Sequence, residues 1–220
     1  DLLMTGEADI IGLVEVSPGW QRALAPLIAK YPYHVDCFDT ESFCETILLS
    51  KLPIVKPFAG RVFRSNPIVA GGEVVWQDRH FTVFATHFTW PLERIEDSKW
   101  ADASDPGQKP DLPGPLPATR QVLHASRFAK FLKDWPADAI VMGDFNSAPW
   151  SRVQTAFRAA TGFADPAGWQ TTWPRWLPWP LRLPLDHVLA RGHLVVTSFA
   201  AGPATDSDHL PVIAEIGWRN

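Results

Sequence analysis

The sequence is short of cysteine, of positive charge and of long apolar segments. Among its 220 residues there are 2 cysteines, and 20 Lys and Arg stand against 24 Asp and Glu, for a net charge of -4. Proteins that grip nucleic acid non-specifically usually carry a basic surface, because phosphate neutralisation drives that binding. The charge balance therefore disfavours a general nuclease, although a local basic patch could escape the average. No apolar run approaches the length of a membrane span, and no signal peptide is visible.

The two cysteines, Cys37 and Cys44, bracket the short polar segment FDTESF. Two interpretations stay open at this point. They could be two buried thiols, each packing as a small hydrophobic group. Alternatively, they form a disulfide across a hairpin, which would require an oxidising compartment.

Apolar and alternating segments predict a series of strands interrupted by a few helices. We expect strands over 8–16, 33–38, 44–50, 67–76, 80–88 and 139–145, and helices over 18–30, 119–135 and 150–160. The segment 91–118 is rich in Pro, Asp and Gly, which predicts a long loop that could cap a cleft. Paired strands broken by helices favour an α+β layered sandwich with antiparallel sheets inside.

Acids, amides and histidines recur at the ends of predicted strands, where side chains can project from a rigid core into a shared cleft. They are Glu15, His87, Asp144, Asn146, Asp186, Asp208 and His209. Glu15 lies in an otherwise apolar strand, where a buried carboxylate is costly unless it is paired or bound to metal. The alternative is a carboxylate at the strand's exit, free in water. Asp144 and Asn146, within VMGDFNSAPW, would by themselves be ordinary turn residues.

These residue types together suit one kind of chemistry. A histidine that takes a proton from water needs its other ring nitrogen held by a carboxylate or carbonyl, and carboxylates accompany His209. Carboxylates with an amide oxygen, and no cysteine cluster, favour Mg²⁺ or Mn²⁺ over zinc. Such an ion polarises a phosphoryl oxygen. The combination predicts metal-assisted attack of water on a phosphate ester.

Five segments, in order along nearly the whole chain, carry a resemblance to a known family. DIIGLVEV, ATHFTWP, MGDFN, LDHVL and SDHLPV resemble the motifs of the endonuclease/exonuclease/phosphatase superfamily of DNase-like, metal-dependent phosphoesterases. Each short motif is weak evidence, but five in order are specific. The resemblance implies a four-layer α/β sandwich, with two mainly antiparallel sheets packed face to face and helices outside. It also implies that residues 1–220 form a single domain.

The same resemblance implies which residues hold the metal and the phosphate. Glu15 corresponds to the metal-binding glutamate, and Asp208 is implied to lie near the metal, which would be Mg²⁺ or Mn²⁺. His87 is implied to donate a hydrogen bond to the phosphate. Asn146 is implied to hold the phosphate and the attacking water.

For the chemical step, the resemblance implies that Asp144 orients the attacking water. Asp186 would orient His209, and His209 would act as the base or stabilise the transition state. Family members begin with a strand ending in a metal-binding asparagine, whereas here nothing precedes Asp1. We therefore expect the domain to lack that first strand, and a chain extended upstream to be more active.

The stretch GWQTTWPRWLPWPLRLPLDHV carries Trp169, Trp173, Trp176 and Trp179, which are 4 of the chain's 11 tryptophans. It is interpreted either as a loop packed on the sandwich edge or as an apolar rim beside the site. Such a rim would suit a membrane interface, a lipid head group or stacked bases. Further candidates for substrate binding are Trp90, Trp173 and Arg120, although Arg120 could equally be a solvated residue at a helix start.

The leading functional hypothesis is a divalent-metal-dependent phosphoesterase acting on a phosphodiester or phosphomonoester. The alternatives are a nuclease for DNA or RNA, and a noncatalytic binding module on the same fold. We expect a monomer with a phosphate-ester substrate, and leave nucleic acid and membrane proximity open as partners. The Trp-rich stretch resembles that of bacterial members with membrane-anchored N-terminal segments, which would place the domain outside the cytoplasm. Otherwise it would be cytoplasmic.

Overall fold

The computed structural model describes residues 6–38, 44–62, 68–91, 112–117, 119–164 and 168–219. Most of the loop predicted over 91–118, including its capping role, lies outside these residues. The strands are β1 (Ile10–Leu13), β2 (Tyr33–Asp36), β3 (Ile47–Ser50), β4 (Ile54–Arg61), β5 (Ile68–Trp76), β6 (Arg79–His87), β7 (Ala139–Asp144), β8 (Asp186–Arg191), β9 (Leu194–Ala201) and β10 (Val212–Trp218). The helices are α1 (Pro18–Ile28), α2 (Arg120–Phe131) and α3 (Arg152–Thr161), with short 3₁₀ turns at Leu132–Asp134 and Trp179–Leu181.

A five-stranded sheet in the order β4-β5-β6-β7-β8 forms the centre of the molecule. Its neighbouring strands are antiparallel except β6 and β7, which run parallel. The turn between β5 and β6 places Gln77 and Asp78 at φ of 48° and 62°, a left-handed pair that matches the twist of a tight hairpin. Strand β4 carries Pro57, which an edge strand tolerates because one side of its backbone needs no partner.

Two smaller antiparallel sheets, β1-β3-β2 and β10-β9, pack on one face of the central sheet. The core between them contains Leu48 from β3, Val83 and Ile140 from the central sheet, and Leu194 and Val196 from β9. These strands therefore form two facing layers with a shared apolar interior.

Helices cover both outer faces of this pair of layers. On the far side of the central sheet, α2 and α3 bury a phenylalanine cluster made of Phe84, Phe88, Phe128, Phe145 and Phe157. On the other side, α1 packs Leu24 and Leu27 against Ile47 and Leu49 of β3. The order of helices, sheet, sheets and helix confirms the α+β sandwich expected from the sequence.

Helix starts follow the capping expectations in part. Thr119 accepts a hydrogen bond from the backbone N–H of Val122 at 3.4 Å, and Ser151 accepts one from Gln154 at 3.2 Å. Ser17 stands at the N-cap of α1 in an extended conformation, yet its side chain makes no capping hydrogen bond. Helix α1 ends at Ile28, two residues before the predicted end, and α3 begins at Arg152 instead of Trp150.

A disulfide joins Cys37 and Cys44 across the connection between β2 and β3. Cys37 is fully buried, so the bridge ties the end of β2 to the residues that lead into β3. A disulfide is typical of an oxidising compartment, and the location of the protein stays a prediction. Among the described residues, no helix combines the length and apolar character needed to cross a membrane.

Candidate active site

The strand register brings three of the predicted site residues into one row. His87, the last residue of β6, pairs with Asp144 at the end of β7, and Asp144 pairs in turn with Asp186 at the start of β8. Gly143 permits the close approach of β6 and β7, because a Cβ there would collide with the carbonyl oxygen of Thr86. The three polar side chains therefore lie side by side at one edge of the central sheet.

Asp144 lies between two histidines. Its Oδ2 atom is 3.8 Å from Nε2 of His87 and 3.8 Å from Nε2 of His209. Burial, together with the charge of Asp186, raises the pKa of the Asp144 carboxyl well above its ordinary value, and the two histidines oppose this only in part. A carboxylate that binds a proton this readily is suited to accept one from water.

His209 is held by a carboxylate on its other ring nitrogen. Nδ1 of His209 lies 2.8 Å from Oδ2 of Asp186, which leaves Nε2 facing Asp144. Burial alone lowers the pKa of His209, but the hydrogen bond to Asp186 and the charges of Asp186, Asp144 and Asp208 outweigh it and raise this pKa to about 9. The Asp186–His209 contact is the pairing that the family resemblance implied.

His87 makes a second carboxylate–histidine pair, with a residue that sequence reasoning missed. Its Nδ1 atom lies 3.0 Å from Oε1 of Glu45. Burial lowers the pKa of His87, but the hydrogen bond to Glu45 and the nearby carboxylates of Asp144, Glu45 and Glu15 leave it above the ordinary value. Glu45 directly follows the disulfide, and its carbonyl accepts a hydrogen bond from Val16 at 2.9 Å. Its signal in the sequence was a carboxylate two positions before the apolar run of residues 47–49.

Asn146 occupies a turn and belongs to the site as well. Its φ of 47° is left-handed, and its backbone N–H donates to Oδ1 of Asp144 at 2.7 Å. Its Nδ2 donates to the carbonyl of Phe88 at 2.7 Å and lies 3.2 Å from Nε2 of His87. The Oδ1 atom is buried and has no hydrogen-bond partner among the residues that the structure describes. An orphaned buried acceptor is costly in a native protein unless a ligand or ion satisfies it.

Gln121, in the first turn of α2, is a further residue that motif reasoning missed. Its Nε2 atom lies 3.0, 3.1 and 2.9 Å from the carbonyl oxygens of Thr89, Phe145 and Asn146. Its side chain is buried, so these contacts link the backbone after β6 to the backbone after β7. Gln121 thereby fixes the two segments that present His87 and Asn146.

The sequence profile of the Endonuclease/Exonuclease/phosphatase family matches residues 1–209. The chain belongs to this family. Members of the superfamily are generally hydrolases of the phosphodiesterase and nuclease type. No curated protein gives a match.

Solved structures of the same superfamily resemble the chain throughout. An endonuclease/exonuclease/phosphatase from Bacteroides vulgatus is 14% identical with a TM-score of 0.71, covering 97% of this chain and 86% of that one. Sphingomyelinase C from Streptomyces griseocarneus is 19% identical with a TM-score of 0.61, covering 98% and 87%. A beta toxin mutant from Staphylococcus aureus with bound magnesium ions is 15% identical with a TM-score of 0.63, covering 100% and 90%. At these identities the likeness establishes the fold.

Glu15 departs from the position expected of it. Strand β1 ends at Leu13, and Glu15 follows at a left-handed φ of 59° with its side chain 66% exposed. The premise of a carboxylate buried within a strand over 8–16 was wrong, because the left-handed residue cannot continue the strand. Its Oε1 nevertheless lies 3.8 Å from Nε2 of His87, at the open side of the site.

The donors present suit a hard divalent cation in type. Among the described residues, no group of three or more His, Cys, Asp and Glu side chains is placed to hold a metal ion. Mg²⁺ commonly needs less, since it keeps several waters and takes one or two carboxylates plus substrate phosphate oxygens. The Glu15 carboxylate is exposed, and within the described part of the chain the Oδ1 atom of Asn146 has no hydrogen-bond partner. Family members use divalent metals, and these oxygen donors suit such an ion in type, while the metal site and the role of Glu15 stay predictions.

The Asp208 carboxylate is hydrogen-bonded to a tryptophan. Its Oδ2 atom accepts a hydrogen bond from Nε1 of Trp173 at 3.0 Å, and its carbonyl accepts one from the backbone of Arg175 at 2.8 Å. The ring centroids of Trp173 and His209 are 6.3 Å apart, and Trp90 packs edge-on against Trp173 at 5.3 Å. Trp173 thus lies beside His209 and Trp90 beside Trp173, whereas the metal role of Asp208 stays a prediction.

The Trp-rich stretch has features of both interpretations, the packed loop and the apolar rim beside the site. Trp173 forms an antiparallel bridge with Leu183, so the segment folds back on itself instead of running extended. Trp169, Trp176 and Trp179 are mostly exposed. Arg120 is the half-buried first residue of α2, and its charge adds to the effect of burial, which lowers the pKa of His124. Its role in substrate binding stays a prediction.

Proposed function

We propose that the protein is a Mg²⁺- or Mn²⁺-dependent phosphoesterase that hydrolyses phosphodiester or phosphomonoester bonds by attack of water. The observation that carries this proposal is the buried Asp144 carboxylate, 3.8 Å from Nε2 of both His87 and His209. A proton acceptor between two nitrogen groups that can bind anionic oxygens is the arrangement that water attack on a phosphate requires. Membership of a generally hydrolytic superfamily supports it.

The phosphate binds between His87 and Asn146. His87, kept in place by Glu45, donates from Nε2 to a phosphate oxygen when it is protonated. Glu15, at the open side, would hold the metal ion together with a phosphate oxygen. When bound, the ion would polarise the phosphoryl group and offset charge on the leaving oxygen.

Asp144 and His209 divide the proton chemistry. Asp144 accepts a proton as the water oxygen forms its bond to phosphorus, and its raised pKa makes it a better base than an ordinary aspartate. His209, whose pKa is about 9, is cationic at neutral pH and stabilises the negative charge that builds up on the phosphoryl and leaving oxygens. Asp186 keeps the Nε2–H of that imidazolium turned toward the reacting atoms. The phosphorus–oxygen bond to the leaving group breaks, the leaving oxygen takes up a proton from solvent, and Asp144 returns the proton it accepted to solvent.

A panel of substrates tests the proposal. Bis-p-nitrophenyl phosphate, plasmid DNA, single-stranded DNA and a lysophospholipid are each offered with Mg²⁺, with Mn²⁺ and with EDTA. Hydrolysis of at least one of them that requires metal and is lost in Asp144→Asn supports the proposal. Cleavage of nucleic acid alone would make the protein a nuclease. The absence of hydrolysis across the panel would favour a binding module on the same fold.

A further inference from the structure

A cavity of about 690 Å³ opens beside Asn146, between the starts of α2 and α3. Asn146 and Ser147 form one end of it, so the cavity shares a wall with the candidate active site. Most of the remaining lining is apolar, and includes Trp90, Pro91, Leu116, Pro117, Leu183 and Leu185. Its volume lies within the range of about 300–1,000 Å³ that small-molecule sites occupy.

Apart from Asn146 and Arg152, the polar side chains that line this cavity are already engaged within the protein. The Gln121 amide faces three carbonyl oxygens, and the Ser147 hydroxyl donates to the carbonyl of Phe145 at 2.9 Å. The hydroxyls of Thr119 and Ser151 cap the starts of α2 and α3. A ligand group that needs many hydrogen bonds, such as a nucleobase, would lose those it makes to water and find few replacements here. An apolar group makes no hydrogen bonds to water, so it loses none when it enters the cavity.

The charge on the lining residues points the same way. Among the described residues around the cavity, Arg152 alone carries a charge, and it is exposed at the start of α3. The cavity also borders the aromatic residues beside His209, because Trp90 lines it and packs against Trp173, which lies next to His209. A molecule with a phosphate at one end and an apolar group at the other would match both parts.

We propose that this cavity binds the apolar organic group of the substrate while its phosphate lies between His87, Asn146 and His209. The substrate class is then an amphipathic phosphoester with an alkyl or aryl group. This inference rests on the proposed phosphoesterase function and narrows its substrate.

Three diesters that differ only in one ester group test the inference. They are the methyl, octyl and thymidyl esters of p-nitrophenyl phosphate, each assayed with Mg²⁺ below any micelle concentration. We expect kcat/KM for the octyl ester to exceed that for the methyl ester about tenfold or more, since burying two methylene groups supplies roughly that factor. Equal values for the two esters, or a preference for the thymidyl ester, would overturn the inference.

Two cavity variants and a matched control locate the effect. Ala148→Phe fills the cavity and Leu116→Ser makes its wall polar, so both should reduce the octyl-to-methyl ratio toward one. Leu181→Ser changes an exposed leucine outside the cavity and should leave the ratio as in the wild type. An undiminished ratio in a folded Ala148→Phe or Leu116→Ser protein would contradict the assignment of the cavity.

A binding measurement separates failure of this inference from failure of the proposed function. Isothermal titration calorimetry with octyl phosphate and methyl phosphate needs no catalysis. We expect octyl phosphate to bind about tenfold or more tightly than methyl phosphate, and this difference to shrink in Ala148→Phe. If neither diester is cleaved but the affinities differ in this way, the phosphoesterase proposal fails and the cavity assignment stands. Equal affinities for octyl phosphate and methyl phosphate would contradict the cavity assignment, whether or not the protein hydrolyses the diesters.

Discussion

Nδ1 of His209 lies 2.8 Å from Oδ2 of Asp186, and this contact decides that Nε2 faces the Asp144 carboxylate. Because Asp186 and Asp144 are register partners on adjacent strands, the pairing of β7 with β8 fixes the geometry of the histidine. The backbone register of a sheet thus positions a side chain that itself comes from a loop, just before β10.

Replacing Asp186 with Asn should lower both the pKa of His209 and the catalytic rate. The hydrogen bond to Asp186 and its charge hold the pKa of His209 at about 9, and a neutral amide supplies no such charge. We expect kcat to fall roughly 100-fold, the lower end of what a positioned acid or base contributes. An NMR titration of the His209 ring, beside the kinetics, provides the measurement. As a control, Glu73→Gln removes a carboxylate that contacts the exposed His80 at 2.6 Å and should leave kcat unchanged. An unaltered His209 pKa would contradict the account.

Glu45 should act through His87. In Glu45→Gln the Nδ1 contact loses its charge, so the pKa of His87 should fall and phosphate binding should weaken. We expect KM for a phosphodiester to rise about tenfold, because an interaction with a charged group is being reduced. The double variant Glu45→Gln/His87→Gln should be little worse than His87→Gln alone. Fully additive losses would show that the two residues act independently.

Gln121→Met should cost stability and disorganise the site. The side chain keeps its length, but the three carbonyls that face Nε2 of Gln121 lose their donor in a buried setting. We expect a loss of about 1–3 kcal/mol in the free energy of unfolding, measured by urea denaturation. Gln170→Met is the matched control, since Gln170 is half-buried and donates to one carbonyl, that of Phe199 at 3.1 Å. Equal losses for the two variants would refute the role given to Gln121.

The buried His124 should make the fold sensitive to acid. Burial, with the charges of Arg120, Arg127 and His87, lowers its pKa from 6.5 to about 3. Below pH 6.5 the unfolded chain therefore binds a proton at His124 that the folded chain does not bind. The free energy of unfolding falls as a result when the pH drops from 6.5 toward 3. By pH 4 this group alone should cost about 3 kcal/mol.

His124→Leu removes that titration, and unfolding free energies from urea denaturation between pH 7 and pH 4 test it. Between pH 7 and pH 4, the free energy of unfolding of the variant should rise relative to that of the wild type by about 3 kcal/mol. His34→Gln, a change at an exposed histidine, should run parallel to the wild type. A difference between His124→Leu and wild type that stays constant with pH would rule out a buried neutral His124.

The sequence predicted the layered fold and most elements of the site, because both follow from local patterns. Apolar runs marked β5, β6 and β7 of the central sheet, and the motifs marked polar residues at or near the ends of its strands. Strand β4 escaped prediction because it is an edge strand with charged and proline residues, which weaken an apolar pattern. Glu15 was wrongly expected within a strand, because nothing in the identity of a glutamate indicates the left-handed backbone that it adopts just after β1.

What the sequence could not supply were the contacts between distant segments. Glu45 lies 42 positions from His87 in the sequence. Gln121 lies 32, 24 and 25 positions from Thr89, Phe145 and Asn146, whose carbonyl oxygens it contacts. Neither residue type is unusual where it stands, so only the packed structure identifies its task. The same holds for Trp173, whose contact with Asp208 depends on the fold of the loop that carries it.

The most direct test of the central claim is the rate at which bis-p-nitrophenyl phosphate releases p-nitrophenolate with saturating Mg²⁺, for wild type and for His209→Ala. We predict metal-dependent release by the wild type and a loss of roughly 100-fold or more in the variant, which should remain folded because His209 lies in a loop with its side chain partly exposed. Equal rates for wild type and His209→Ala would contradict the assignment of the site.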